Sequence, residues 1–349
     1  MKHAEGVKGV KNRGTKDMQM AGQRLMVGFE GTEMSADLKY MIRELRVGGV
    51  ILFSGNILEP EQVRHLCISM QTCARECGQP PLFIAVDQEG GVVARFKKPF
   101  TEFPGNPFMT GVADADQFAE TTARELKDIG INMNMAPVLD VAFDPEQSIM
   151  VDRSFGADPQ WVSLLGGAVI QGLQQSGIMA VAKHFPGIGR TTLDSHRDLP
   201  VLDADSAILE KSDLLPFAAA IHQEVAGIML SHICYRQMDE NWPASLSRAI
   251  AQDLLRDRLG FGGLVLTDDL DMGAVAKHYD IETAVQRILA ADIDIALICH
   301  RSSSMENAFK TILAFQEASS ANSAHCRRSL ERILRAKKRF LGWVHGVTL

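Results

Sequence analysis

Downstream of residue 17, short unbroken apolar runs alternate with longer stretches in which apolar residues recur at helical spacing. The runs cover 25–29, 50–53, 82–86, 132–136, 179–182, 227–230, 264–267 and 293–298. The stretches that separate them predict helices over 36–46, 60–77, 113–129, 159–176, 206–224, 247–259, 281–291 and 304–318, with a further Arg/Lys/Leu-rich helix over 323–340. Strand–helix alternation implies a parallel sheet with crossover helices. Eight successive units favour closure into a single-domain α/β fold, a (β/α)8 TIM barrel, over an open sheet. The domain is assigned to 18–349. It is preceded by a polar, basic N-terminal tail over 1–17, with five Lys or Arg between residues 2 and 16.

Composition narrows the function classes. The chain has 349 residues, a length that also allows two ordinary domains, so the strand pattern decides for one. A hydrophobic share of 46% and a charged share of 23% are those of a globular protein. A net charge of −7 argues against a broad nucleic-acid surface, which must displace counterions with excess Lys and Arg. No apolar run reaches the roughly 18 residues of a membrane span, and the polar first residues lack an export signal; a cytoplasmic protein is expected. Six scattered cysteines suit a reducing compartment. Cys73 and Cys77, with His65 nearby, lack a second ligand pair and read as structural thiols rather than metal ligands.

Barrel chemistry gathers at the C-terminal strand ends. There the chain places Asp87, Asp140, Lys183 with His184, His232, Asp268 with Asp269, and His300. Each has a plainer reading: Asp140 and Asp269 as helix caps, His232 and His300 as merely polar neighbours. Convergence of six strand ends on Asp, Lys and His together is what points to a site. Residues 183–200 are broken by proline and glycine and read as a mobile loop over the barrel mouth. Gly187 and Gly189 do not complete a phosphate-binding pattern. Asp194 and His196 are spaced so that the carboxylate can hold one imidazole nitrogen and make the other a proton carrier, although a simple turn with an exposed histidine is the alternative. With Asp268 as a nucleophile, they complete the equipment for glycosyl transfer through a covalent intermediate.

At these positions the sequence resembles glycoside hydrolase family 3, and within it single-domain bacterial β-N-acetylglucosaminidases. The matching stretches include VDQEGG, APVLDV, DRSFG, KHFPG, DSH, PASLS and LTDDLDM, in the family order. The resemblance implies a retaining β-N-acetylhexosaminidase with Asp268 as nucleophile, His196 as general acid/base and Asp194 as its dyad partner. It also implies Asp87, Arg95, Arg153, Lys183 and His184 as ligands of the terminal sugar's hydroxyls. Non-reducing terminal β-linked N-acetylglucosamine of cell-wall muropeptides is the implied substrate, in cytoplasmic peptidoglycan recycling. No metal or cofactor is needed, and a monomer without nucleic-acid or membrane partners is expected. The chain departs from the family at Ile188, Arg190 and Val92. A phosphorylase or broader β-glycosidase on the same site, a Schiff-base aldolase using Lys183, and a non-catalytic sugar-binding barrel remain alternatives.

Overall fold

The computed structural model describes residues 14–300 and 302–343. Eight parallel strands close in sequence order: β1 Leu25–Val27, β2 Gly49–Leu52, β3 Phe83–Val86, β4 Met133–Asn134, β5 Met179–Phe185, β6 Gly227–Leu230, β7 Leu264–Asp269 and β8 Ile295–Ile298. β1 seals the barrel against both β2 and β8. The runs lack polar alternation because both strand faces are buried. Ile51, Phe83, Ala85, Met133, Met179, Val181, Met229, Leu266 and Leu297 fill the barrel interior. Their neighbours Val50, Leu52, Ile84, Val86, Ala180, Ala182, Ile228, Leu230 and Val265 face the helices.

Helix Pro60–Glu76 shows how the outer layer is specified. Pro60 starts it where no amide partner is needed, and Val63, Leu66, Cys67, Met70, Cys73 and Ala74 form its buried stripe. Cys73 and Cys77 thus sit at the last turn and C-cap of one crossover helix. The segment expected as one helix over 206–224 divides into Ser206–Lys211 and Leu214–His222, because Asp213 turns inward to meet Arg190. The helix expected over 247–259 has the wider turns of a π-helix, Ala249–Arg258. Thr15–Gly22 is helical, so the last residues of the stretch read as a tail are structured, while residues 1–13 lie outside the described residues.

The C-terminal helix Ser320–Leu341 closes the barrel's N-terminal end. Lys337, fully buried, donates to Gln23 Oε1 (2.6 Å) and to the Gly48 carbonyl (2.8 Å). Its ammonium lies 4.9 Å from the Phe83 ring centroid. Burial pushes its pKa well below the ordinary lysine value. No described helix is long and apolar enough to cross a membrane.

Candidate active site

At the opposite end, β5 and β7 run two to three residues beyond their apolar cores and carry polar groups into the mouth. In β5, Lys183 and His184 are strand residues rather than part of a loop, and the pairing to β6 shifts register between Ala182 and Phe185. In β7, pairing to β8 shifts between Leu266 and Asp269, where Asp268 emerges.

After β3 the chain folds back as a small hairpin, Gln88–Gly90 against Val93–Ala94. Gly90 and Gly91 make this turn with φ of 85° and 61°, backbone that side chains disfavour. Gln88 pins the hairpin: its amide donates to Asn134 Oδ1, and its Oε1 accepts from the amides of Arg95 and Phe96. Arg95 is thereby returned over Asp87, Nη2 to Oδ2 3.2 Å. The buried Nε of Arg95 has no partner among the described residues.

One wall of the mouth is an ion network. Lys183 Nζ lies 2.7 Å from Asp87 Oδ1 and 2.6 Å from Glu89 Oε1. Arg153 grips Glu89 with two bonds, Nε to Oε2 at 3.0 Å and Nη2 to Oε1 at 2.7 Å. Burial works against each charge, but the partners win. Lys183 and Arg95 hold Asp87 at about 2, Lys183 and Arg153 hold Glu89 below its ordinary value, and the two carboxylates raise Lys183 above its own. A Schiff-base lysine must reach the neutral amine. Lys183 is locked as the ammonium, which removes the motive for the aldolase alternative.

Asp140, read as a possible cap, accepts from His184 Nδ1 at 2.7 Å and from the Ile188 amide at 2.8 Å. The carboxylate fixes the proton on Nδ1 and leaves Nε2 of His184, 3.5 Å from Arg153 Nη2, toward the cavity. His232 is likewise buried: Nε2 donates to the Asp269 carbonyl (2.8 Å) and Nδ1 accepts from Ser245 Oγ (2.6 Å). Burial lowers the His232 pKa below the ordinary histidine value. Burial would raise Asp268, yet His232 and His184, together with the Asp269 amide at 2.8 Å, keep it below the ordinary carboxylate value. Asp268 is therefore an anion at neutral pH.

Its neighbour differs. Asp269 Oδ1 accepts from the amides of Asp271 and Cys299, both 3.1 Å, but burial, with Asp271 and Asp268 close by, pushes its pKa from 3.8 up to about 6. A carboxyl whose folded pKa is raised binds its proton more tightly when folded, so its contribution falls as pH rises from about 3.8 to about 6. Asp269→Asn, which retains an oxygen for the two amides, is expected to exceed the parent in stability by about 3 kcal/mol at pH 7.5 and only about 1 kcal/mol at pH 4.5. Denaturant melts at the two pH values check this; an equal difference at both would exclude ionisation as its origin.

Asp194 and His196 lie on the loop after β5. His196 Nδ1 is 2.8 Å from Asp194 Oδ1, which also accepts the His196 amide at 2.9 Å. The loop turn and the hydrogen-bonded dyad thus coexist in one tripeptide. These bonds hold Asp194 below its ordinary value despite partial burial. The His196 side chain is 68% exposed, in contrast to the buried wall.

Asp87, Arg95, Arg153, Lys183, His184, His196 and Asp268 line one cavity of about 460 Å³, together with Phe53, Asp269, Asp271 and His300. Its apolar lining includes Ile51, Met229 and Leu297. A larger cavity of about 650 Å³ adjoins it across Phe53, Cys299 and His300 and contains, of the strand-end candidates, His300 alone. Glu89 and the role of Asp140 escaped the sequence reading; a second carboxylate two positions beyond Asp87 was the available signal for Glu89.

The three departures are accounted for locally. Ile188 is buried and uses its amide, not its side chain, on Asp140. Val92 is 68% exposed at the hairpin turn. Arg190 anchors the base of the His196 loop: Nε meets buried Asp213 at 2.9 Å, and the guanidinium lies 3.9 Å from the Phe143 ring centroid. None removes a group from the cavity, which weakens the case for a non-catalytic barrel.

The model of the glycosyl hydrolase family 3 N-terminal domain matches residues 15–336. A "Beta-hexosaminidase" of Pseudomonas aeruginosa (strain LESB58) is 36% identical over 293 residues, 82% of this chain and 86% of the relative. The fold is similar to a glycoside hydrolase family 3 β-N-acetylglucosaminidase from Paenibacillus sp. str. FPU-7, with a TM-score of 0.90 and 36% identity, over 95% of this chain and 64% of that one. It is also similar to the β-N-acetylhexosaminidase from Beutenbergia cavernae DSM 12333, with a TM-score of 0.87 and 30% identity, over 93% and 99% of the two chains. Spanning nearly all of the barrel and its strand-end motifs, the match shows that the chain belongs to glycosyl hydrolase family 3.

Proposed function

We propose that the protein is a retaining β-N-acetylhexosaminidase that removes a terminal β-linked N-acetylglucosamine. The observation that carries this reading is the placing of a half-buried anionic Asp268 and the imidazole of the Asp194–His196 dyad on one cavity with the Asp87–Lys183–Glu89–Arg153 wall. Asp268 attacks the anomeric carbon as the bond to the aglycone oxygen breaks, and His196 Nε2 gives that oxygen its proton. In the second step His196 takes a proton from water, whose oxygen bonds to the anomeric carbon and releases Asp268. Asp194 keeps Nδ1 protonated and stabilises the charged ring between proton transfers. The wall presents fixed charges to sugar hydroxyls through charge-assisted bonds. Terminal sugars of muropeptides and cytoplasmic cell-wall recycling fit this chemistry, as does a reducing compartment for six thiols, five of them buried. The enzyme is proposed to act as a monomer.

Release of p-nitrophenol from its N-acetyl-β-glucosaminide, with product analysis in water and in phosphate, tests the assignment. Free N-acetylglucosamine in both media is expected; a sugar 1-phosphate would move the enzyme to the phosphorylases, and no release by protein that still binds the sugar would leave a binding module. His196→Ala is expected to cut kcat/KM by about 100-fold or more on a disaccharide while changing 2,4-dinitrophenyl substrates by only a few fold, because that leaving group needs little protonation. Equal losses on both would contradict the acid role.

A further inference from the structure

The nucleophile and the dyad sit on different elements, one on a strand and one on an exposed loop, so something must set their mutual position. The loop's base is fixed by Arg190, and by Tyr235, whose hydroxyl donates to the Gly187 carbonyl at 2.8 Å. Its tip is held elsewhere. Among the described residues, every hydrogen bond from 192–199 to another element runs to 273–278, the segment that follows β7. The Ala274 amide donates to the Ser195 carbonyl (3.0 Å) and the Gly273 amide to the His196 carbonyl (3.3 Å). Lys277 Nζ donates to the Arg197 carbonyl (2.5 Å), and His278 Nε2 to Asp198 Oδ1 (2.6 Å). The fit is close: a Cβ on Gly273 would lie 2.6 Å from the His196 carbonyl oxygen and 2.8 Å from that of Arg197. The receiving segment is itself braced, since Tyr279 packs its ring 5.3 Å from Trp242, over which Arg287 lies at 4.3 Å.

We propose that Lys277 and His278 are positioning residues for the general acid: they latch the His196 loop onto the segment that follows the nucleophile strand. The inference rests on the acid role of His196 proposed above. Asp268 precedes Gly273 by only five residues, so the latch refers the acid to the nucleophile's own strand rather than to the loop base across the mouth. Both latch side chains are exposed, and neither lines the cavity, so their removal leaves sugar-binding groups and core intact. An acid displaced from the leaving oxygen costs most where protonation is most needed.

The test compares kcat/KM, which reports the first chemical step, for N,N′-diacetylchitobiose and for the 2,4-dinitrophenyl glycoside. Lys277→Met combined with His278→Phe is expected to lower the first about tenfold and the second less than about twofold. Gly273→Ala, which pushes on the loop without altering its charges, should give the same selectivity. Restoring a donor with His278→Gln in the Lys277→Met background should recover part of the loss. Parallel losses on both substrates, or no loss, while His196→Ala stays selective, would overturn the latch alone. If His196→Ala shows no selectivity, the acid assignment falls and the latch with it.

Discussion

Asp268→Asn is expected to lower kcat by about 10⁴-fold or more on any aryl N-acetyl-β-glucosaminide, with the fold unchanged. Asparagine can keep the acceptor for the Asp269 amide but cannot form the ester to the anomeric carbon. It also removes the anion that His232 and His184 hold below its ordinary pKa. Near-native melting together with abolished turnover is the predicted signature. A slow fluorosugar substrate should leave its mass on the parent enzyme, on the peptide containing Asp268, and not on Asp268→Asn. Azide added to Asp268→Gly should restore turnover and yield the α-glycosyl azide, because the small anion enters from the face the carboxylate vacates. Activity within about 100-fold of the parent, or label on Asp269, would remove Asp268 from its role.

Lys183→Met is expected to destabilise the protein by about 3 to 5 kcal/mol and to abolish measurable turnover. Its side chain is 3% exposed, and its ammonium bridges two carboxylates, Asp87 at 2.7 Å and Glu89 at 2.6 Å. Methionine preserves much of the volume but leaves two buried carboxylates sharing one wall. Arg153 then compensates Glu89 and Arg95 compensates Asp87, and each of those guanidiniums is partly exposed. Arg95→Met, which affects Asp87 alone, should therefore cost clearly less. Adding Glu89→Gln to Lys183→Met should return part of the stability, since it removes one of the stranded charges. Urea melts of the four proteins measure this; equal costs for Lys183→Met and Arg95→Met would show that the network is not organised around Lys183.

The barrel was legible because its strands are buried on both faces, so residues such as Phe83, Ile84, Ala85 and Val86 form an unbroken apolar run whichever way each points. Strand ends were legible for the same reason: Asp87, Lys183 and Asp268 stand where an apolar run stops. Less visible were groups whose significance depends on a distant partner. Glu89 gains its meaning from Lys183 and Arg153, 94 and 64 positions away, and a local reading of VDQEGG offers only a turn. Asp140 looks like a cap until His184 is brought 2.7 Å from it. The break at Asp213 within an otherwise helical stretch was hidden because Arg190, which draws that side chain inward, lies 23 residues earlier. The dyad was the reverse case, a local pair whose spacing already contained its hydrogen bond.

The buried ammonium of Lys337, far from the mouth, bears on the order of events. With Gln23, Gly48 and the Phe83 ring it stops the barrel's N-terminal end, and Ile51, Met229 and Leu297 line the catalytic cavity inward of the polar groups. The catalytic cavity thus has no passage to the far end of the barrel. A sugar chain cannot thread along the barrel axis, so a sugar seated against those apolar residues enters from the mouth side. It also leaves by that side, behind the aglycone, so the part of the substrate that enters first departs last.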